Sequence, residues 1–311
     1  MLRIIDLFAG IGGIRLGVEQ AFKDVECVFS SEIDKDACAS YEANFNEYPK
    51  GDICAINADD IPDFDMLLAG FPCQPFSQAG KKQGFLDERG GMFFEVLRIL
   101  KAKMPPVFLL ENVKNLKSHN GGKTLETMIN ELKALGYNVF YEVLKARDFG
   151  VPQNRERIYI VGFLKKVDFS FPLPLKTATR LGDILEKNAD EKYTISDKLW
   201  AGHKARKERN KANGKGFGYS LFNENSPYTN TISARYYKDG SEILIEQKGQ
   251  NPRKLTPREA ARLQGFSDNF KIVVSDAKAY KQFGNSVAVP VICAIAKQIK
   301  LALEKELKKA V

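Results

Sequence analysis

The stretch IIDLFAGIGG, residues 4–13, decides how the rest of the chain is read. Ile4, Ile5, Leu7 and Phe8 make a short apolar run broken only by Asp6. A strand buried on both faces of a parallel sheet reads as such a run rather than as an alternation. The run ends at a turn carrying Gly10, Gly12 and Gly13, and a helical pattern begins at Ile14. Glycines allow a tight turn and let backbone come close to a ligand. Strand, glycine turn and helix together make an α/β unit. The spacing is not the dinucleotide-type G-x-G-x-x-G, because Arg15 stands where the third glycine belongs. A glycine turn alone is equally a turn that holds nothing.

Working outward, VECVFSSEI (25–33), DMLLAGF (65–71), PVFLLENV (106–113), YNVFYEVLKA (137–146) and RIYIVGF (157–163) are further strand-like runs. MFFEVLRILKA (92–102) and residues 124–135 have helical periodicity. Strands alternating with helices imply a mostly parallel sheet with helices on both faces. Pro172 and Pro174 in FPLPLKTATR (171–180) mark a linker. Beyond it, KLWAGHKARKERNKANGKG (198–216) holds seven Lys/Arg against one acid and shows few helical periods. TNTISARYY (229–237) and SEILIEQ (241–247) look β-like. Helical patterning returns near Thr256, and VAVPVICAIAKQIKLALEKEL (287–307) reads as a closing helix. The expected organisation is a large α/β unit over 1–175, a smaller basic, β-rich insert over 176–276, and a C-terminal segment over 277–311 that returns to the large unit.

Composition narrows the function. With 47 basic and 39 acidic residues the chain of 311 carries a net charge of +8, which favours polyanionic partners. No apolar run reaches membrane-spanning length, and the N-terminus does not read as a signal peptide, so no membrane partner and a cytoplasmic location are expected. Five cysteines without a C-x-x-C pair suggest neither a disulfide framework nor a zinc site. The two histidines, His119 and His203, have no metal spacing, so no metal is expected and histidine acid–base chemistry is poorly supplied.

Three acids and a thiol stand out. Cys73, in AGFPCQPFSQAG (69–80), follows a strand and so lies where open α/β sheets place ligands, in a loop stiffened by Pro72 and Pro75. A lone cysteine is also commonly a buried structural residue. Glu32 ends the second strand, where a carboxylate accepts hydrogen bonds from ribose hydroxyls. Asp52, in GDI (51–53), could accept from an adenine amino group; each acid alone is equally a solvated loop carboxylate. Glu111 stands at the end of PVFLLENV, where its bland alternative is a buried polar strand end.

FAGIGG (8–13), PCQPFS (72–77), ENV (111–113), QNRER (153–157), RKLTPREAARLQGF (253–266) and QFGNSV (282–287) occur in this order. In order and approximate spacing they resemble the C5-cytosine DNA methyltransferase family over nearly the whole chain. The resemblance implies an S-adenosylmethionine-dependent, Rossmann-like α/β fold with a smaller target recognition domain. It makes Cys73 the nucleophile, whose thiolate adds to cytosine C6 so that C5 can take the methyl group of S-adenosyl-L-methionine. Glu111 then donates at N3, while Arg155 and Arg157 supply positive charge and orient the base or a phosphate. A free thiol has a pKa of about 8.5, so nearby cations favour its thiolate. The remover of the C5 proton stays open between water and an unidentified base.

The same resemblance assigns cofactor contacts to Phe8, Ala9, Gly10, Gly12, Gly13, Glu32, Ile33, Asp52, Ile53, Pro72, Asn285, Ser286 and Val287. Asn285 or Ser286 is also readable as a helix N-cap. Such an enzyme flips its target base out of duplex DNA. Gln74, Ser77 and Thr231 are then expected near the DNA. GKGFGYSLF (214–222) and TISARYYKDGSEILI (231–245) resemble recognition domains for CCGG, CCWGG and CCNGG sites. Ser233, Arg235, Tyr236 and Tyr237, on a β-like ribbon, are the expected base or backbone contacts, and Lys204 and Arg206 the phosphate contacts. A monomer is expected, with a cognate restriction endonuclease sharing the site as a further partner. The rival readings are a tRNA cytosine-5 methyltransferase, a non-catalytic DNA-binding regulator and, most remotely, a nicotinamide dehydrogenase.

Overall fold

The computed structural model describes residues 1–72, 91–175, 177–216 and 218–309, the side chains of 307–309 excepted. In chain order its first part comprises β1 (Leu2–Leu7), α1 (Gly13–Phe22), β2 (Val25–Ser31), α2 (Lys35–Phe45), β3 (Met66–Gly70), α3 (Gly91–Lys103), β4 (Val107–Val113), α4 (Lys123–Ala134), β5 (Asn138–Lys145) and β6 (Glu156–Phe163). Among the described residues these strands form one six-stranded sheet of order β2-β1-β3-β4-β6-β5. The first four pair in parallel, while β6 runs antiparallel to both β4 and β5.

Alternation divides the strand side chains between two cores. Ile4, Met66, Leu68, Leu109 and Val161 face one cluster, and Ile5, Leu67, Ala69, Leu110 and Ile160 the other. Both clusters are sealed, which is why these strands read as continuous apolar runs. The second cluster is covered by Phe93, Val96 and Ile99 of α3 and by Leu125, Met128 and Leu132 of α4.

The rest of the chain comprises α5 (Asp197–Ala212), β7 (Leu221–Phe222), β8 (Leu244–Ile245), α6 (Pro257–Leu263), α7 (Asp276–Asn285) and α8 (Val289–Lys309). α8 packs along α1. A Cβ on Gly17 would come within 2.6 Å of Ile292, so glycine is what lets the two helices approach. The span 276–306 is long and apolar enough to meet a membrane-helix criterion, but Ile292, Ile295 and Ile299 are fully buried in the first cluster.

A third cluster draws on Leu181, Ile184, Ile232, Tyr236, Ile243 and Leu255, and also on Tyr280 and Phe283 of α7 and Ile11 of the glycine turn. The insert thus shares its core with the elements that follow it.

Two local features depart from the sequence reading. The basic run 198–216, with few helical periods in its sequence, is for the most part helix α5, started by Ser196 accepting from the Leu199 N–H. Only His203 of α5 is buried, so apolar periodicity could not reveal the helix. TISARYYKDG is not a ribbon: residues 234–239 are turns, and β7 and β8 pair over two residues each. Its alternation fails because Tyr236 turns into the core while Arg235 and Tyr237 stay outside.

Candidate active site

The carboxyl ends of β1, β2, β3 and β4 open onto one cavity of about 430 Å³, the topological position at which open α/β sheets bind ligands. Phe8, Ala9, Gly10, Gly13, Glu32, Ile33, Asp52, Ile53, Pro72, Asn285, Ser286 and Val287 line it, and so do Glu111, Arg155 and Arg157. Cys73, Gln74 and Ser77 lie outside the described residues. Pro72, immediately before Cys73, is on the cavity wall.

The glycine turn divides its labour. Gly10 has a φ of +56°, and a Cβ there would meet nothing within 4 Å, so its open side belongs to the cavity. Gly12 is the exception among the expected cofactor residues, because it does not line the cavity. With a φ of +79°, a Cβ there would lie 2.2 Å from the Phe45 ring. It is glycine for packing. Arg15, at the position of the missing third glycine, stacks over Phe45 at 4.3 Å and bridges Glu19 and Glu47 at 2.6 Å each. It ties α1 to α2 and the residues just after it.

Glu32 accepts from the Gly10 N–H and from the Ile33 and Asp34 N–H groups, all at 2.8 Å. Its carboxylate thereby fixes the turn after β1 to the end of β2. Two carboxylate oxygens offer about four acceptor sites, so one remains for a ligand hydroxyl. Asp52 caps a short turn by accepting from the Cys54 N–H at 3.0 Å. Ile33 is 72% exposed, an apolar side chain left open beside the cavity.

The opposite wall is α7 and the turn after it. Lys281 bridges Asp34 at 2.6 Å and Lys278 bridges Asp36 at 2.7 Å, while Ser40 donates to the Gln282 side chain at 3.0 Å. These pairs latch α7 onto α2. The expected N-cap role of Asn285 or Ser286 is corrected: Asn285 closes α7 and Ser286 is its C-cap. Sequence reading missed Asp34, Lys281 and Gln282 as lining residues. Asp34 lies two residues beyond a recognised acid and Gln282 opens the recognised motif QFGNSV; Lys281 carried no signal before α2 and α7 were known to meet.

At the inner end, Glu111 and Arg157 meet. In the antiparallel register Glu111 pairs with Tyr159, so Arg157 is its diagonal neighbour on the same face of the sheet. Arg157 Nε lies 3.1 Å from Glu111 Oε1. Burial raises the Glu111 pKa above the ordinary carboxylate value, although Arg157 and Arg155 oppose the rise. Arg155 is buried too, and burial with Arg157 close by pushes its pKa down. Its terminal nitrogens donate to the carbonyls of Ile232, Gly284 and Ser286. Its Nε is buried without a partner among the described residues. The arrangement sets a buried carboxyl group, its pKa raised by burial, beside fixed positive charge.

The residues expected on DNA divide sharply. Arg235 and Ser233 are exposed, and Ser233 donates to Glu242 at 2.6 Å. Thr231 donates to the Asn154 carbonyl at 2.7 Å, against the motif that carries Arg155. Tyr236 is corrected: it is fully buried, its hydroxyl donating to the Ile243 carbonyl and accepting from the Leu255 N–H, so it cannot touch a base. Arg206, its side chain 34% exposed, binds Asp239 at 2.8 Å, His203 and the Gly218 carbonyl and so holds α5 in place. Lys204 remains exposed.

The chain matches the model of the family described as C-5 cytosine-specific DNA methylase over residues 2–301. It is 68% identical over 305 residues to the Type II methyltransferase M.NlaX of Neisseria lactamica, covering 97% of each chain. It is 64% identical to the Type II methyltransferase M1.ScrFI of Lactococcus lactis subsp. cremoris, over 98% of this chain and 80% of that one. The Dnmt2 methyltransferase structure from S. pombe superposes with a TM-score of 0.81 at 23% identity, over 98% of this chain and 99% of that chain, which speaks for the fold alone. The motifs, the sheet and these matches agree: the chain belongs to the C-5 cytosine-specific DNA methylase family and is a DNA cytosine-5 methyltransferase.

Proposed function

We propose that the chain methylates cytosine C5 within a short duplex site as a type II restriction–modification enzyme, with S-adenosyl-L-methionine in the described cavity and Cys73 as nucleophile. The observation that carries the reading is the pairing of buried Glu111 with half-buried Arg157 at the inner end of the glycine-turn cavity. The cavity suits this cofactor. Gly10 leaves open space, Glu32 and Asp52 offer acceptors to hydroxyl and amino groups, and Ile33 offers an apolar surface to a flat ring. When bound, the cofactor supplies an electrophilic methyl group on a sulfonium.

The chain's own groups do the rest. Cys73, one residue beyond the cavity-lining Pro72, attacks C6 of a flipped cytosine. Glu111, whose carboxyl pKa is raised by burial, donates at N3 as charge enters the ring. Arg157 holds Glu111 in place and contributes positive charge toward the thiolate and the base. Arg155 acts mainly by pinning the turn after α7. Loss of the C5 proton and elimination of the thiolate complete the reaction.

Division of labour follows from placement. Residues 1–175 and 277–311 carry cofactor and chemistry, and 176–276 carry target choice, through Thr231, Ser233, Arg235 and Tyr237 on the turn and through Lys204 on α5. A CCGG-, CCWGG- or CCNGG-like site, a monomeric enzyme in the cytoplasm and a cognate endonuclease cutting the same site belong to the same reading. Bisulfite sequencing of a plasmid from cells expressing the chain tests it. Protected cytosines confined to one short motif are the expected result. A plasmid with no protected cytosine, from cells making folded protein, would contradict it.

A further inference from the structure

Three side chains of the described structure have no exposure to speak of, yet they bond almost only to backbone. Gln153 and Gln264 are fully buried and Arg155 is 2% exposed. Gln153 accepts from the Ile232 N–H at 3.1 Å, and Arg155 donates to the Ile232 carbonyl at 3.2 Å. Both backbone groups of one residue are therefore held by the same short motif. Ile232 is the root of the turn that exposes Ser233 and Arg235.

The other side of Gln153 leads to the cofactor wall. Its amide donates to the Leu263 carbonyl at 2.9 Å and to the Gln264 side-chain oxygen at 3.1 Å. Gln264 in turn donates to the Phe283 carbonyl at 2.6 Å and more weakly to that of Ser286. The last carbonyls of a helix have no partner within it. Gln264 and Arg155 thus supply the donors for the end of α7, the segment that lines the cavity. The two backbones also abut: a Cβ on Gly284 would lie 2.3 Å from the Ser233 carbonyl group.

We propose that Gln153 is a positioning residue that holds the DNA-facing turn and the cofactor wall in one register, so that reading the correct site and binding the cofactor productively depend on each other. The inference rests on the proposed placement of cofactor in the cavity and DNA on the turn. Gln153 has one acceptor arm, to Ile232, and one donor arm, through Gln264, to α7. A buried donor or acceptor stripped of its partner changes whatever the arm controls by roughly tenfold, within about 5- to 150-fold.

The test is steady-state kinetics of the full chain on the duplex identified by bisulfite sequencing and on duplexes altered at one base pair. Gln153→Met, similar in volume and without the amide, is expected to raise the KM for S-adenosylmethionine roughly tenfold and to cut discrimination between the duplexes by a similar factor. Gln264→Met breaks only the donor arm and is expected to raise that KM while leaving discrimination intact. The double variant should raise KM no further than Gln153→Met, because both changes cut one arm. If Gln153→Met does not fold, Gln153→Glu keeps the acceptor for Ile232 and loses the amide donors, and it should behave like Gln264→Met. A uniform fall in kcat, with KM and discrimination unmoved, overturns the inference and leaves the proposed function standing. An unaltered chain that transfers no methyl group to duplex DNA overturns the proposed function and this inference with it.

Discussion

Arg157 and Arg235 belong to regions assigned to the same DNA, yet their surroundings are opposite. Arg157 is on a strand, its side chain 17% exposed, and it is paired with a buried carboxylate. Arg235 is on a turn and exposed, its backbone N–H accepted by Ser233. The sheet half holds its polar groups by strand register, which fixes diagonal neighbours once the pairing is set. The insert holds its exposed turn by a wedge, Tyr236, packed edge-to-face against Tyr280 with ring centroids 5.1 Å apart, its hydroxyl donating to the Ile243 carbonyl and accepting from the Leu255 N–H. A register makes chemistry reproducible. A wedge leaves its neighbours, Arg235 and Tyr237, exposed on the surface, where the proposed function has them read base pairs.

The largest expected effect lies on the register side. Glu111→Gln keeps a hydrogen-bond donor but no transferable proton, and should lower kcat by about 10²–10³-fold while DNA binding changes little. The pH profile sharpens this. Because burial raises the Glu111 pKa, the acid form persists above the usual carboxylate range, and kcat should fall as pH climbs through that raised value. That falling limb should vanish in Glu111→Gln. Equal, modest losses in turnover and DNA binding would reassign Glu111 to structure.

Next comes the wedge side. Arg235→Ala should cost ~1–3 kcal/mol of discrimination between the target and one-base variants if the side chain reads a base edge bidentately. Cofactor affinity should stay unchanged, since Arg235 has no part in the cavity. Tyr236→Phe should instead lower stability by about 1–3 kcal/mol, since it leaves the Leu255 N–H and Ile243 carbonyl unpaired. Thermal denaturation and methylation of a duplex panel separate the two. Arg235→Ala losing activity equally on every duplex would make it a backbone contact.

The smallest effect concerns α5. Lys204, Lys207 and Lys211 are exposed and spaced to share one helix face. Replacing all three with glutamine should weaken binding to every duplex alike and flatten the salt slope by about 0.9 for each phosphate that is no longer neutralised. An unchanged slope would mean that this face meets only solvent. Arg206 is left out of the set because its loss would also free Asp239 and α5.

Much of this comparison was legible in the amino-acid order, and the legible part follows the register. The runs around Ile4, Leu67 and Leu109 announced buried strands because both sheet faces are sealed. Glu111 and Arg157 came from motifs that sit at strand ends, where alternation settles which way a side chain turns. The insert resisted for a physical reason. α5 buries only His203, so no apolar stripe marked it. In TISARYYKDG, Tyr236 and Arg235 looked equally available, and only a core partner remote in the chain, Tyr280, draws the tyrosine inward. Gly12 misled similarly: its neighbour Phe45 is distant in sequence, and packing rather than a ligand requires the glycine.

The central claim is covalent catalysis by Cys73 with Glu111 and Arg157 at the base. Incubating the chain and S-adenosylmethionine with a duplex carrying 5-fluorocytosine at the methylated position tests it most directly, because fluorine cannot leave as a proton does. The predicted result is a stable protein–DNA adduct whose peptide maps to Cys73, absent in Cys73→Ser. Methylation of the ordinary duplex without any adduct on the fluorinated one, or an adduct mapped to another residue, would contradict the account.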